Sequence, residues 1–172
     1  MTPPNTQKNC RKANTMDTTT DKDRFPSRKH PRMKHFDYAS PNYYFITICT
    51  WNKECIFGNP NGLSQWGTIA EAVILEIGGH FCNVRVDTYV IMPNHVHMIL
   101  VLEGVTAGVP QIIGQYKSSV TRKIHETAPQ QKVWQTSFHD HVIRNQRDYE
   151  RIWLYIESNP QNWSKDCFFE DI

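Results

Sequence analysis

Two kinds of hydrophobic pattern alternate along the chain. Dense runs of β-branched and aromatic residues, typical of strands, occupy 43–50, 84–92 and 95–103, and 133–144 also has an extended pattern. Apolar residues recur with helical spacing in three other segments, 66–78, 111–125 and 146–158. Gly78-Gly79 ends the first predicted helix and Asn159-Pro160 ends the last one.

The order of these elements predicts the fold class. Strand, helix, strand, strand, helix, strand, helix is the order expected of an α+β domain whose helices pack on one antiparallel sheet. Pro93-Asn94 separates two consecutive strand segments, which predicts that these two strands are neighbours in the sheet. The 172 residues are the usual size of one domain and contain no internal repeat.

Charge divides the chain into a tail and a body. Residues 1–34 hold nine Lys and Arg against three Asp, a net +6, whereas residues 35–172 hold ten against fourteen acidic residues, a net −4. The tail lacks apolar periodicity, so we predict that it is disordered when free and that a single domain begins at residue 35. A basic tail adds affinity for phosphate backbones, but a solvated tail without a binding partner accounts for the charge pattern nearly as well.

Cysteine usage and hydropathy indicate the compartment. The five cysteines are odd in number and scattered, without a CxxC pair, which argues against a disulfide framework or a zinc ribbon. No stretch approaches the roughly 20 apolar residues of a membrane span, and the N-terminus is polar where a signal peptide is apolar. We therefore predict a soluble, cytoplasmic protein with reduced thiols and no membrane partner.

His95 and His97 are the first candidates for chemistry. Residues two apart in a strand point to the same face, so both imidazoles lie side by side with Ile99 and Val101, opposite a face that carries Val96, Met98 and Leu100. Two neutral imidazoles at this spacing can share a metal ion. The pattern is explained equally well if one or both histidines are ordinary polar residues of a partly exposed strand. A metal site also needs further ligands from elsewhere in the chain.

The last predicted helix carries a second candidate group. Ile152, Tyr155, Ile156 and Asn159 fall on one helical stripe, and Tyr155 and Asn159 are neighbours one turn apart. If this stripe covers the histidine face, the Asn159 side-chain oxygen can complete a metal site beside the Tyr155 hydroxyl. Helix spacing alone is also compatible with a packing tyrosine and a helix-ending asparagine.

Several segments together resemble a known family. They are Tyr44-Phe45-Ile46-Thr47-Ile48-Cys49-Thr50, Met92-Pro93-Asn94-His95-Val96-His97, Trp134-Gln135 through His141-Val142-Ile143-Arg144, and Tyr155-Ile156-Glu157-Ser158-Asn159-Pro160. In order and spacing they look like the REP-associated tyrosine transposases, relatives of the insertion-sequence transposases that are built on the HUH nuclease fold. The resemblance covers about residues 28–163.

The resemblance implies a ferredoxin-like antiparallel sheet with packed helices and assigns roles to the candidate residues. His95 and His97 match the family's metal ligands, Asn159 matches the third ligand and Tyr155 matches the nucleophile. The expected cofactor is Mg²⁺ or Mn²⁺. The expected activity is cleavage and rejoining of single-stranded DNA next to hairpins through a 5′-phosphotyrosine intermediate.

Two alternatives and the oligomeric state stay open. A domesticated protein could bind hairpin DNA without cutting it, and a metal-dependent phosphodiesterase could use activated water in place of the tyrosine. Members of the wider family act as dimers, whereas REP-associated members can be monomers, so the resemblance leaves monomer and dimer open.

Other residues compete for these roles. Tyr116 is a rival nucleophile, but it lies among Ile112, Ile113 and Val120 and we interpret it as core. His139 and His141 also alternate, and we interpret them as surface or DNA-facing. Five basic residues are candidates for DNA contact or for solvated helix faces: Lys117, Arg122, Arg144, Arg147 and Arg151. Three aromatic residues are candidates for base stacking or for the core: Trp134, Phe138 and Trp163.

Overall fold

The computed structural model describes residues 36–104 and 107–169. The predicted disordered tail, residues 1–34, lies outside the described residues. The described part of the chain contains no helix that is long and apolar enough to cross a membrane. Its strands are β1 (Asn42–Cys49), β2 (Gly58–Asn59), β3 (Gly62–Leu63), β4 (Val84–Met92), β5 (His95–Leu102) and β6 (His139–Ile143). Its α-helices are α1 (Gln65–His80), α2 (Val109–His125) and α3 (Gln146–Ser158).

Four strands form one antiparallel sheet in the order β4-β5-β1-β6. With α1 between β1 and β4 and α2 between β5 and β6, this is the ferredoxin-like arrangement, and the predicted α+β fold class is confirmed. Strand β5 is central, and all eight of its residues are buried. The predicted pairing of the two strands around Pro93-Asn94 is also confirmed.

Helices cover both faces of the sheet. On one face α1 and α2 pack on a core that contains Val96, Met98 and Leu100 of β5. On the other face Ile99 and Val101 pack against Ile152 and Ile156 of α3. The predicted division of β5 into two faces is therefore confirmed. The stripe of α3 that carries Tyr155 and Asn159 faces the histidine side of the sheet.

The last strand is shorter than the predicted extended segment 133–144. Trp134 forms an isolated bridge to Thr50 at the end of β1, and regular pairing resumes only in β6. The segment between them turns towards α2, because the Trp134 indole donates to the Lys117 carbonyl and the Lys117 ammonium donates to the carbonyls of Gln135 and Thr136. Side-chain hydrogen bonds thus replace the strand pairing that the sequence pattern predicts.

Two local features determine where α3 begins and hold it against strand β4. Asn145 caps the helix, since its side chain accepts a hydrogen bond from the backbone N–H of Asp148. One turn along, the Tyr149 hydroxyl donates to Asp87 over 2.6 Å. The register of β4 shifts between Val86 and Thr88, which marks Asp87 as a bulge residue that ties this edge strand to α3.

Candidate active site

The two histidines lie at the start of β5 with almost no exposed surface. Their ring centroids are 4.5 Å apart. His95 Nδ1 lies 2.8 Å from the Asn94 side-chain oxygen, which can only accept, so this nitrogen donates and the Nε2 atom keeps its lone pair. His97 Nδ1 lies 2.8 Å from the Thr47 hydroxyl on the neighbouring strand. Both rings therefore have their Nδ1 atoms engaged. Nε2 of His97 faces Tyr155 on α3, and the His95 ring lies near Trp163 and Phe168, which follow α3 in the sequence.

Burial keeps both imidazoles neutral at physiological pH. Desolvation lowers the pKa of His95 to about 4, with the carboxylate of Asp166 opposing the shift. Desolvation and the neighbouring His95 lower the pKa of His97 to about 3. A metal ion binds only the neutral ring, so neither histidine has to lose a proton at pH 7 before it can act as a ligand.

Tyr155 lies directly beside the pair. Its hydroxyl is 3.2 Å from His97 Nε2 and donates to Asp166 Oδ2 over 2.9 Å. Burial, followed by the hydrogen bond and charge of Asp166, raises the pKa of Tyr155 above its ordinary value. The residue is still 38% exposed, and its side chain lines an open pocket.

Asp166 is the site residue that the sequence analysis missed. One carboxylate oxygen of Asp166 and one ring nitrogen from each of His95 and His97 lie within 4.8 Å of one another. The residue follows the 3-10 turn Pro160–Lys165, beyond the predicted helix, where neither strand nor helix periodicity applies. Burial opposes its charged form, but hydrogen bonds from the Phe168 backbone and from Asn159 outweigh burial and lower its pKa.

Asn159 lies next to this carboxylate. Its Nδ2 donates to Asp166 Oδ2 over 2.9 Å, and its Oδ1 is buried without a hydrogen-bond partner in the described part of the chain. His95 Nε2 is likewise buried and unpartnered among these residues. Buried polar atoms without partners are costly, and a bound cation would satisfy both. Two imidazoles with amide and carboxylate oxygens form a donor set that suits a divalent metal ion.

Aromatic side chains surround the histidines. Phe45 stacks on His97 with centroids 5.2 Å apart, and the Phe168 ring lies 4.7 Å from that of His95. The Phe168 carbonyl accepts a hydrogen bond from Asn94 Nδ2, which holds the turn that contains Phe168 against the histidines. Beside Tyr155 opens a pocket of about 450 Å³ whose lining includes Phe45, His97 and Phe168.

The predicted DNA-contact residues are spread over the molecule. Arg151 lines the pocket beside Tyr155, whereas Arg144 lines a separate pocket at the start of α3. Arg147 is exposed on α3. Lys117 and Arg122 line a groove on α2, where the Lys117 ammonium holds the carbonyls of Gln135 and Thr136. The structure therefore brings only Arg151 of these five next to Tyr155.

The competing residues have structural roles. Tyr116 is 2% exposed and its hydroxyl donates to the Ala70 carbonyl, so its prediction as a core residue is confirmed. Trp134 packs on Phe57, and Phe138 and Trp163 are buried, which favours the core interpretation of all three. His139 and His141 are exposed on β6, in agreement with the prediction of surface residues.

A ferredoxin-like sheet that carries a histidine pair under a tyrosine-bearing helix is the arrangement that the resemblance to the tyrosine transposases implies. Residues 41–159 match the model of the family described as "Transposase IS200 like". Because the match spans more than half of the sequence, the chain belongs to the IS200-like transposase family. The family predicted from the motifs is thereby confirmed.

Two relatives extend this comparison. An uncharacterized protein of Haemophilus influenzae is 31% identical to this chain, in an alignment that covers 84% of this chain and 94% of that protein. The structure of a REP-associated tyrosine transposase bound to a REP hairpin superposes with a TM-score of 0.57 at 18% identity. That superposition covers 78% of this chain and 74% of the other, and it shows a shared fold.

Proposed function

We propose that this transposase cleaves and rejoins single-stranded DNA next to hairpins, with Tyr155 as the nucleophile. The observation that carries the proposal is the position of the Tyr155 hydroxyl, 3.2 Å from Nε2 of His97 within the cluster of His95, His97 and Asp166. The hairpin substrate is supported by the solved structure of similar fold, which is bound to a REP hairpin.

His95 and His97 would hold a divalent metal, with Asn159 Oδ1 and Asp166 available as oxygen ligands. Mg²⁺ or Mn²⁺ fits this set, because both accept oxygen ligands and keep positions open for phosphate oxygens. Bound there, the ion supplies Lewis-acid polarisation of the scissile phosphate and charge stabilisation of the departing oxygen.

The chemistry of the chain's own residues follows from their contacts. The Tyr155 oxygen forms a bond to phosphorus while the bond from phosphorus to the 3′ oxygen of the preceding nucleotide breaks. The phenolic proton passes to Asp166, which already accepts the hydrogen bond, and the 3′ oxygen takes up a proton from water and leaves as a hydroxyl. The 5′-phosphotyrosine keeps a phosphodiester bond, so the 3′-hydroxyl of another strand can restore DNA without ATP.

A covalent-adduct assay tests the proposal. Incubation with Mn²⁺ and a panel of hairpin-bearing single strands, taken from the DNA beside the gene, should give a protein–DNA adduct on denaturing gels. The Tyr155→Phe variant should give none, and the matched Tyr116→Phe variant should give the wild-type amount. An adduct that survives Tyr155→Phe but disappears in Tyr116→Phe would contradict the proposal. Cleaved DNA with no protein attached would indicate a water-dependent phosphodiesterase.

One observation favours the second candidate, a hairpin-binding protein that does not cleave. Residues 1–34 carry a net +6 against a net −4 for residues 35–172, and such a tail supplies affinity for DNA without any need for cleavage groups. That candidate predicts tight binding of a hairpin without any adduct or cleavage across Mg²⁺, Mn²⁺ and the whole substrate panel.

A further inference from the structure

The pocket beside Tyr155 has a composition that differs from the polar cluster next to it. Its lining contains the apolar side chains of Phe45, Ile152 and Phe168. The other lining residues are Thr47, His97, His141, Arg151, Tyr155 and Cys167. With a volume of about 450 Å³ it falls in the size range of small-molecule sites, roughly 300–1,000 Å³. An apolar, aromatic interior of this size suits a flat aromatic ligand.

Two polar side chains that line the pocket, His141 and Arg151, share the neighbouring Asp148 as their hydrogen-bond partner. Asp148 accepts hydrogen bonds on both carboxylate oxygens, from His141 Nε2 over 2.7 Å and from Arg151 over 2.6 Å. Asp148 itself is held at the start of α3 by the Asn145 cap. The Arg151 side chain is 72% exposed, so the guanidinium N–H groups that do not face Asp148 are directed to solvent. A phosphate at the rim can use them.

The combination of an apolar interior, an exposed guanidinium on Arg151 and a shared wall with Tyr155 points to one occupant. A nucleotide offers an aromatic base for the interior and a phosphate for the guanidinium. An unpaired base is required, because a base inside a duplex is not free to enter a pocket.

We infer that this pocket binds one unpaired nucleotide of the substrate strand next to the scissile phosphate, with its base against Phe45 and Phe168 and its phosphate on Arg151. The inference rests on the proposed function and adds the site that positions the DNA strand relative to Tyr155. The pocket offers few hydrogen-bond partners for a base edge, so it selects for an unpaired base more than for a particular sequence.

Photocross-linking locates the nucleotide directly. Single strands that carry one 5-iododeoxyuridine, placed in turn at each unpaired position beside a hairpin, are irradiated with the full-length protein and the cross-linked peptide is identified by mass spectrometry. At one position we expect cross-links to Phe45 or Phe168. Cross-links to Trp134, which lines the groove on α2, would instead place the strand on the other side of the molecule and overturn the inference.

A pair of arginine variants tests the rim. Arg151→Gln should weaken binding of the unpaired strand by about five- to tenfold and reduce the cross-links to Phe45 and Phe168. The control Arg122→Gln removes the same charge on α2 and should leave those cross-links unchanged. Equal effects of the two variants would show only general electrostatic attraction and would contradict a specific rim contact.

The outcomes separate this inference from the proposed function. A covalent adduct with cross-links outside the pocket overturns the pocket and leaves the chemistry intact. Cross-links inside the pocket without any adduct support the pocket and count against the nuclease. Failure to bind any unpaired strand overturns both.

Discussion

Asp166 accepts hydrogen bonds from both Tyr155 and Asn159 on a single oxygen, Oδ2. At the scale of single residues, two neighbouring groups are therefore candidates for the third metal ligand. They are the Asp166 carboxylate and the Asn159 amide oxygen. A carboxylate contributes charge as well as a donor atom, so we expect Asp166 to add more affinity for a divalent ion than the neutral amide does.

Replacement of either residue tests this ranking. Asp166→Asn keeps the size but removes the charge, and we expect it to weaken Mn²⁺ binding by at least about tenfold, as measured by calorimetry on the metal-free protein. Glu157→Gln removes an exposed carboxylate on α3 and serves as the control. Wild-type affinity in Asp166→Asn together with a loss in Asn159→Ala would instead identify Asn159 as the third ligand.

The histidine pair makes stability depend on pH. Both rings have folded pKa values, about 4 and about 3, that lie below the ordinary 6.5, so the unfolded chain binds more protons in this range. The free energy of unfolding should therefore fall as the pH drops from about 7 towards 4 in the presence of a chelator. Urea unfolding at pH 7 and at pH 5 measures this, and the double variant His95→Gln, His97→Gln should show a smaller difference. An equal pH dependence in the variant would assign the effect to other groups.

At the scale of elements, the hydrogen bond from Tyr149 to Asp87 holds α3 against the edge strand β4. Tyr149→Phe removes it, and we expect a loss of about 1 kcal/mol in the free energy of unfolding and faster amide exchange in α3. Tyr43→Phe is the matched control, because among residues 36–104 and 107–169 the Tyr43 hydroxyl makes one long hydrogen bond of 3.4 Å, to Arg85. Unchanged exchange in α3 would show that packing of Ile152 and Ile156 suffices to hold the helix.

The long elements and the turn at Pro93-Asn94 could be predicted from the sequence, whereas the shortest elements and the segment after α3 could not. Strand β4 and helix α3 begin and end where their periodic patterns do, because each buries one regular face. The hairpin of β2 and β3 was missed, since strands of two residues have no periodicity. Asp166 was missed for a related reason: its position depends on the turn that begins at Pro160, and no motif or spacing connects it with the histidines.

At the scale of the whole molecule, charge is separated along the sequence. Residues 1–34 carry a net +6 and residues 35–172 a net −4, so the basic tail is the main sequence-level source of non-specific attraction to DNA. Deletion of residues 1–31 should weaken hairpin binding and reduce the slope of log K against log salt concentration, while Mn²⁺ affinity stays unchanged. Titrations at several salt concentrations measure the slope. An unaltered slope would show that the tail does not contact DNA.

All groups of the proposed centre, His95, His97, Tyr155 and Asp166, come from one chain. The most direct test is to digest the Mn²⁺-dependent DNA adduct with trypsin and nuclease and to locate the nucleotide by mass spectrometry. Residues 152–165 form a tryptic peptide whose one tyrosine is Tyr155. We predict a 5′-linked nucleotide on that peptide. A nucleotide on any other tyrosine, or a cleaved strand that ends in a free 5′-phosphate, would contradict the assignment of Tyr155 as the nucleophile.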